Sequence, residues 1–464
     1  MALDLDWAPA WRIASAVKSG ETSALAAVEA SLARIEKLNT KVNAFTAVVA
    51  DRARAKAKAI DASNSMRAAP LAGVPFAVKN LFDVKGLATV AGSKINRDHA
   101  PAAKDSLLIE RLEAAGAILV GALNMGEYAY DFTGENVHDG AARNPHDLTR
   151  MTGGSSSGSA AAVAGGLVPL SLGSDTNGSI RVPASHCGIF GLKPTYGRLT
   201  RARSFPFVTS LDHLGPFARS VRDLAISYDA MQGRDPEDPV CAQRDTELVT
   251  PLVERSADGL RIALAGGYFQ KGAFPEAKEA LARVARALNI KRDVEIPEAE
   301  RARSAAYIIT TSEGAALHLD RLRTRARDFD PAVRDRLIAG AMVPASLVVK
   351  AQKFRRWYRA EVLKLFDDVD AILVPAAPCT APKIGQHTVV IDGVEMPIRP
   401  NLGLYTQPIS FIGLPVAAVP VPLAPMPIGV QIITAPWRED VALRIAHTLE
   451  TMGVASAPRP RFEE

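Results

Sequence analysis

Three short stretches hold the residues best suited to nucleophilic chemistry. Lys79 ends the apolar run "GVPFAV". Ser155, Ser156 and Ser157 sit inside "GGSSSGSAAAVAGG", residues 153–166. Ser179 follows Gly178 in "SDTNGSIRVP", residues 174–183. A serine hydroxyl alone is a weak nucleophile and needs a base. None of the eight histidines is obviously spaced to serve. Lys79 is the alternative, because burial lowers a lysine pKa and makes the neutral amine accessible. A second serine could relay the proton between them. The turn at Gly178 could present a hydroxyl and consecutive backbone amides towards one pocket.

The glycine–serine run admits other readings. It could be a flexible linker, yet Ala160–Ala164 favours helix. The run then reads as a loop feeding a helix N-terminus, where unpaired amides can face negative charge. A phosphate loop would end in Gly-Lys-Ser/Thr, which is missing, and the dinucleotide fingerprint fails too. "GSSSG" does fit the spacing GxSxG, with Ser156 at its centre. A nucleophile elbow needs a buried strand before it, whereas "NPHDLTRMTG" is polar and loop-like. Glycine-rich packing turns are the bland alternative to all of these.

These residues need a framework to position them, and the chain is long enough for one. It has 464 residues, 48% apolar, with 33 glycines and 31 prolines, so it is globular with many turns. That size allows one large domain or two to three ordinary ones. A rhythm of helix and strand points to an α/β protein. "LAGVPFAVKNLFDV" reads as a buried strand breaking at Lys79 and Asn80, and "DSLLIERLEAAGAILVGAL" as a helix, a glycine turn and a strand. Ser23 to Leu38 reads as an amphipathic helix capped near Thr22 or Ser23. Residues 301–365 read as helical, "IDGVEMPIRP" as a small hairpin, and "LPVAAVPVP" with "MPIGVQIITAP" as paired core strands. The polar stretch 232–245 is an excursion between subregions.

A net charge of +5 from 55 basic and 50 acidic residues does not point to nucleic acid. The arginines of "KFRRWYR" read as the wet face of a helix, with a partner surface or anion site as the alternative. Three cysteines without a CxxC pair point to a reduced, cytoplasmic compartment. The scattered histidines predict no zinc site. The first twenty residues do not read as a signal peptide, and no apolar run is long enough for a membrane span.

"PLAGVPFAVKNLFDVKG", "GGSSSGSAAAVA" and "SLGSDTNGSIRVPASHCGIFGLKPTYGRLT" together resemble the amidase signature family, three motifs in the right order. The likeness extends across nearly the whole chain. It implies a single domain over residues 1–464 with a mixed central β-sheet covered by helices on both faces. Within it lie an N-terminal helical region (8–65), a signature core (70–232) and a more helical variable region (260–365), followed by C-terminal core strands. It implies a Ser–cisSer–Lys triad: Ser179 as nucleophile, Ser155 as the bridging serine after a cis peptide bond, and Lys79 as base. The amides of Thr176, Asn177, Gly178 and Ser179 would line an oxyanion hole. Ser156, Ser157, Asp175 and Arg181 would support the loops, and no metal or organic cofactor is needed. Asn177 stands where the family more often has glycine. Asparagine tolerates left-handed geometry, or its side chain orients the substrate.

The family spans fatty amides, peptide amides, malonamate, allophanate and glutamine. Finer stretches, "NMGEYAYDFTGENVHDGAARNPHD", "TTSEGAALHLDRLR" and "AQKFRRWYR", resemble a branch that releases ammonia from small carboxylated ureides. That branch occurs with a small helical partner chain, two copies of each, which implies a homodimer contact as well. A substrate carboxylate suits an arginine fork, so Arg150, Arg303 and Arg356 are candidates. Tyr128, Tyr130, Glu135 and Asn136 are candidates to line the pocket. The competing readings are an amidase of another small-amide branch, glutamine hydrolysis within a tRNA-dependent amidotransferase, and an inactive scaffold role in a complex.

Overall fold

The computed structural model describes residues 3–462. Eleven strands form one mixed sheet. In chain order they are β1 (Phe45–Val48), β2 (Pro75–Lys79), β3 (Ile118–Leu123), β4 (Leu170–Asp175), β5 (Phe190–Lys193), β6 (His213–Ala218), β7 (Ile262–Ala265), β8 (Arg292–Val294), β9 (Ala371–Pro375), β10 (Val416–Val421) and β11 (Ile428–Thr434). Across the sheet they run β1-β3-β2-β4-β6-β5-β10-β11-β9-β7-β8. β3, β2 and β4 are parallel, as are β9, β7 and β8, while antiparallel pairs join these two groups.

Every residue of β2, β3, β4, β5, β6, β9, β10 and β11 is buried. Strands apolar on both sides must be covered on both sides, and helices flank the sheet as expected. Their short apolar runs therefore lack the alternation of a half-wet strand. At the outer positions β1 and β8 alternate or open to solvent. Pro420 lies inside β10, but only Val416–Ala418 pair with β5, so the missing N–H falls beyond that ladder.

Local signals were readable. Ser23 caps the helix Ala24–Val42, its hydroxyl accepting from Ala26 N at 3.0 Å. The region 301–365 resolves into the helices Ala299–Arg325, Pro331–Ala341 and Ala345–Lys364. The hairpin Thr388–Ile391/Val394–Pro397 turns on Asp392 and Gly393, both at positive φ. Among the described residues no helix is long and apolar enough to cross a membrane.

The serine run becomes a buried loop and the short helix Ser157–Ala164, with every residue of that helix buried. Gly158 lets it approach the sheet: a Cβ there would meet Ala44 O at 2.4 Å and Asn124 N at 2.5 Å. Backbone atoms cannot step aside as a flexible side chain can. We expect Gly158→Ala to lower the urea midpoint by the equivalent of about 1–3 kcal/mol of overpacking; an unchanged midpoint would show that the helix can shift freely.

Candidate active site

The parallel pairing of β2 with β4 sets Val78 beside Leu172. Two strand ends then emerge together, one with Lys79 and the other with Ser174. The serine loop crosses above them. Lys79 is fully buried. Its Nζ donates to Ser155 Oγ at 2.7 Å, Ser174 Oγ at 2.8 Å and Ser156 Oγ at 3.1 Å. Those three bonds use all three donors of an ammonium. Burial lowers the Lys79 pKa to about 7, against the opposing pull of Asp175, Asp212 and Asp131.

The serines differ in what they can still do. Ser156 Oγ accepts from Lys79 and from Ser174 N, and donates to Ser174 O at 3.1 Å. Its proton is committed, and the strand before it is an outlying hairpin segment, Asp147–Met151. The elbow geometry is therefore absent. Ser157 Oγ donates to Asn124 O at 3.3 Å and braces the helix start. Ser155 follows a cis peptide bond with Gly154, and Lys79 is its one side-chain hydrogen-bond partner among the described residues.

Ser179 sits in the turn after β4 and lines a small cavity of 20 Å³ with Tyr130, Asp131, Thr176, Asn177, Tyr307, Arg336 and Gln407, among others. The amides from Thr176 to Ser179 have no acceptor among the described residues, while Ile180 N donates to Asp175 Oδ2 at 3.1 Å. The left-handed residue of the turn is Gly178, at φ 143°. Asn177 is not left-handed, which corrects the expectation that its tolerance of that geometry explains its presence. Asn177 Nδ2 donates to Thr310 Oγ1 at 3.0 Å, and Thr176 Oγ1 to Asp212 Oδ1 at 2.6 Å.

Asp175 and Arg181 hold the turn from beneath. Both are fully buried. Arg181 Nε and Nη2 grip the two carboxylate oxygens at 3.0 and 2.9 Å. Nη1 donates to Gln431 Oε1 at 2.7 Å and to Thr406 O at 3.2 Å, and Nη2 also reaches Ser410. Burial alone would raise the Asp175 carboxyl, yet the Arg181 guanidinium holds it well below the usual range.

The substrate-binding candidates separate in space. Tyr130 lines the cavity, its ring 3.8 Å from the Arg336 guanidinium. The other six do not line it, which corrects that expectation. The Tyr128 hydroxyl donates to Asn96 Oδ1 at 3.0 Å, and its ring packs on His318 and Phe205. Asn136 spends its amide on Gly92 O, Met125 O and two loop amides. Glu135 pairs with Arg399 and accepts from Gly385 N. Arg150 pairs with Asp147 and donates to Ala381 O. Arg303 stands one residue back, donating to Gln407 Oε1 at 2.9 Å. Arg356 lines a different cavity, with Arg355, Arg359 and Trp437.

Arg336 was missed, and "DPAVRDRLIAG" carries no signal for it beyond an amphipathic helix. It comes from the helix Pro331–Ala341. Its Nε donates to Ala332 O at 2.7 Å and its Nη2 to Tyr130 O. Unlike Asp131, whose oxygens are filled by Thr133, Gly134 and Arg399, it forms no ion pair among the described residues. A second cavity of 420 Å³ reaches Ser174 and shares Ala129, Thr176 and Phe207 with the first. Among the described residues no group of three His, Cys, Asp or Glu side chains could hold a metal ion.

This arrangement of a buried amine, serines and free amides coincides with a match to the amidase family over residues 26–443. The chain belongs to the amidase signature family. It is an amidohydrolase of that family. Over 448 residues it is 51% identical to AtzE of Pseudomonas sp. (strain ADP), a 1-carboxybiuret hydrolase subunit, covering 96% of this chain and 98% of that one. It is 37% identical to a glutamyl-tRNA(Gln) amidotransferase subunit of Geobacter metallireducens, covering 94% and 95%. Its fold matches a chain from a vestigial protein complex that reveals the evolutionary origins of an s-triazine catabolic enzyme, with TM-score 0.96, 50% identity and coverage of 97% and 100%. A 6-aminohexanoate cyclic dimer hydrolase matches at TM-score 0.87 and 28% identity, with both chains fully covered.

Removing the Asp175 carboxylate strands the Arg181 charge in the core. Asp175→Ala should cost about 3–5 kcal/mol of stability, while Asp147→Ala in the outlying hairpin should stay within about 0.5 kcal/mol. Denaturant midpoints check both; equal effects would contradict the account of the turn.

Proposed function

We propose that this protein hydrolyses 1-carboxybiuret with release of ammonia, using Ser179, Ser155 and Lys79. The observation that carries the chemistry is the bond from a buried, pKa-lowered Lys79 to Ser155. Neutral Lys79 takes a proton from Ser155, and Ser155 takes one from Ser179. Ser179 Oγ attacks the terminal carbonyl. The turn from Thr176 to Ser179 offers amides to the developing oxyanion, and losing one well-placed donor of this kind costs about 3–4 kcal/mol. Collapse breaks the C–N bond, and the leaving nitrogen regains the proton through Ser155 to depart as ammonia. Water then attacks the acyl-enzyme by the same relay, freeing Ser179 and the acid. No step in this sequence calls for a cofactor.

The substrate reading rests on the 51% identical relative and on Arg336. A guanidinium that lines one cavity with Ser179 and has no ion-pair partner among the described residues suits an anionic substrate, and its planar fork matches a carboxylate. The 20 Å³ cavity is smaller than any such substrate. We assign access to the larger neighbouring cavity, with Phe207, common to both walls, yielding on binding. One sheet draws strands from residue 45 to residue 434, so we treat residues 1–464 as one catalytic domain. By analogy with the relative solved in a complex, we propose a small helical partner chain, two copies of each protein, and a cytoplasmic location.

The test is ammonia release from freshly made 1-carboxybiuret, with glutamine and malonamate alongside. Strong preference for the ureide supports the reading; preference for glutamine moves the protein to the amidotransferase branch. Ser179→Ala and Lys79→Met should each lose more than about a thousandfold in kcat. The base must be neutral, so kcat/KM should rise with pH through about 7 and then level off. A flat profile, or a rise near the ordinary lysine pKa, would contradict Lys79 as base. Arg336→Ala should raise KM for carboxylated substrates about 10–100-fold, the loss of a charge-assisted hydrogen bond; an unchanged KM would place the carboxylate elsewhere.

A further inference from the structure

Asn177 is fixed at both ends. Its backbone oxygen accepts from Thr406 Oγ1 at 2.6 Å, and its Nδ2 donates to Thr310 Oγ1 at 3.0 Å on the helix Ala299–Arg325. The second bond sets the plane of the carboxamide and turns Oδ1 away from Thr310. Oδ1 is then buried with no hydrogen-bond partner among the described residues. The backbone does not require asparagine, because the left-handed position is Gly178. Asn177 lines the cavity at Ser179, with Arg336 on the same wall set. A buried carbonyl oxygen left unpaired is costly, and native structures rarely keep one without a use.

We infer that Asn177 Oδ1 accepts a hydrogen bond from an N–H on the acyl side of the substrate. It thereby selects ureides, whose carbonyls are flanked by N–H, over simple amides, whose carbonyls are flanked by CH2. The inference rests on the assignment of Ser179 as nucleophile. The geometry is economical: the residue that lends its amide to the oxyanion also reads the atom next to the carbonyl. Arg336 holds the anionic end and Asn177 checks the link between that end and the reacting carbon. A methylene at this link forfeits a contact and also seals an unpaired acceptor in the cavity. Discrimination against a missing donor is therefore stronger than a lost contact alone would give.

Allophanate and malonamate differ only in N–H or CH2 between carboxylate and carbonyl. Ammonia release from both is measured for the wild type, Asn177→Ala and Thr310→Val, with 1-carboxybiuret as reference. Where turnover is slow, each serves as a competitor of 1-carboxybiuret, and inhibition constants replace kcat/KM. The readout is the allophanate/malonamate ratio, since a general disturbance of the turn lowers both alike. The wild type should favour allophanate by at least about tenfold. Asn177→Ala should bring the ratio near one, and Thr310→Val, which frees the carboxamide to rotate, should fall between. A wild-type ratio near one, or a ratio that survives in Asn177→Ala, overturns the inference and leaves the Ser179 assignment standing. Turnover of amides that persists in Ser179→Ala would remove that assignment instead, and this inference with it.

Discussion

A lysine ammonium sealed from water among three serine hydroxyls is the constraint on which the rest of this structure depends. Water would solvate the charge and leave Lys79 an ordinary cation. Burial removes that solvation and brings its pKa to about 7. A strand end that is covered on both faces supplies such burial, and β2 is one. The same demand explains the small residues around it. A Cβ at Gly173 would meet Ser156 Oγ at 2.7 Å, so glycine lets the loop close on the strand end.

Charge is balanced at a distance rather than by contact. Among the described residues no carboxylate touches Lys79; Asp175 spends itself on Arg181, and Asp212 on Thr176 and on the amides of Phe207 and Val208. A direct ion pair would hold the lysine protonated and rule out the base role proposed for it. The sheet contains a second buried amine, Lys193, whose pKa is likewise lowered to about 7 by burial. Its Nζ is spent on Pro194 O and Leu414 O. Two lysines with similar desolvation thus differ in their partners: one faces rotatable hydroxyls and the other fixed carbonyls.

Much of this was legible in the chain. The apolar run before Lys79 announces a buried strand, and the alanines after the serines announce a helix. Three ordered motifs named the family, and they also pointed to Lys79 and Ser155, which the fold sets 2.7 Å apart. Beyond Tyr130 and the turn residues Thr176, Asn177 and Ser179, the pocket wall was not legible. Arg336, Tyr307 and Gln407 come from separate helices far along the chain, and their approach to Ser179 depends on tertiary packing that periodicity does not encode. The polar motif at 124–147 misled for a related reason. Polar residues near a catalytic loop suggest binding, yet Asn136 and Glu135 brace backbone and arginine instead. Burial of polar groups demands partners, and a long loop supplies many of them from itself.

The most direct test of the account is the site and pH dependence of covalent labelling by a fluorophosphonate, read by intact mass and peptide mapping. One label on Ser179, forming at a rate that rises through pH about 7 and abolished by Lys79→Met, is the predicted result. Label on Ser155 or Ser156, or a rate on Ser179 indifferent to pH and to Lys79, would contradict the claim that a neutral buried lysine activates this serine.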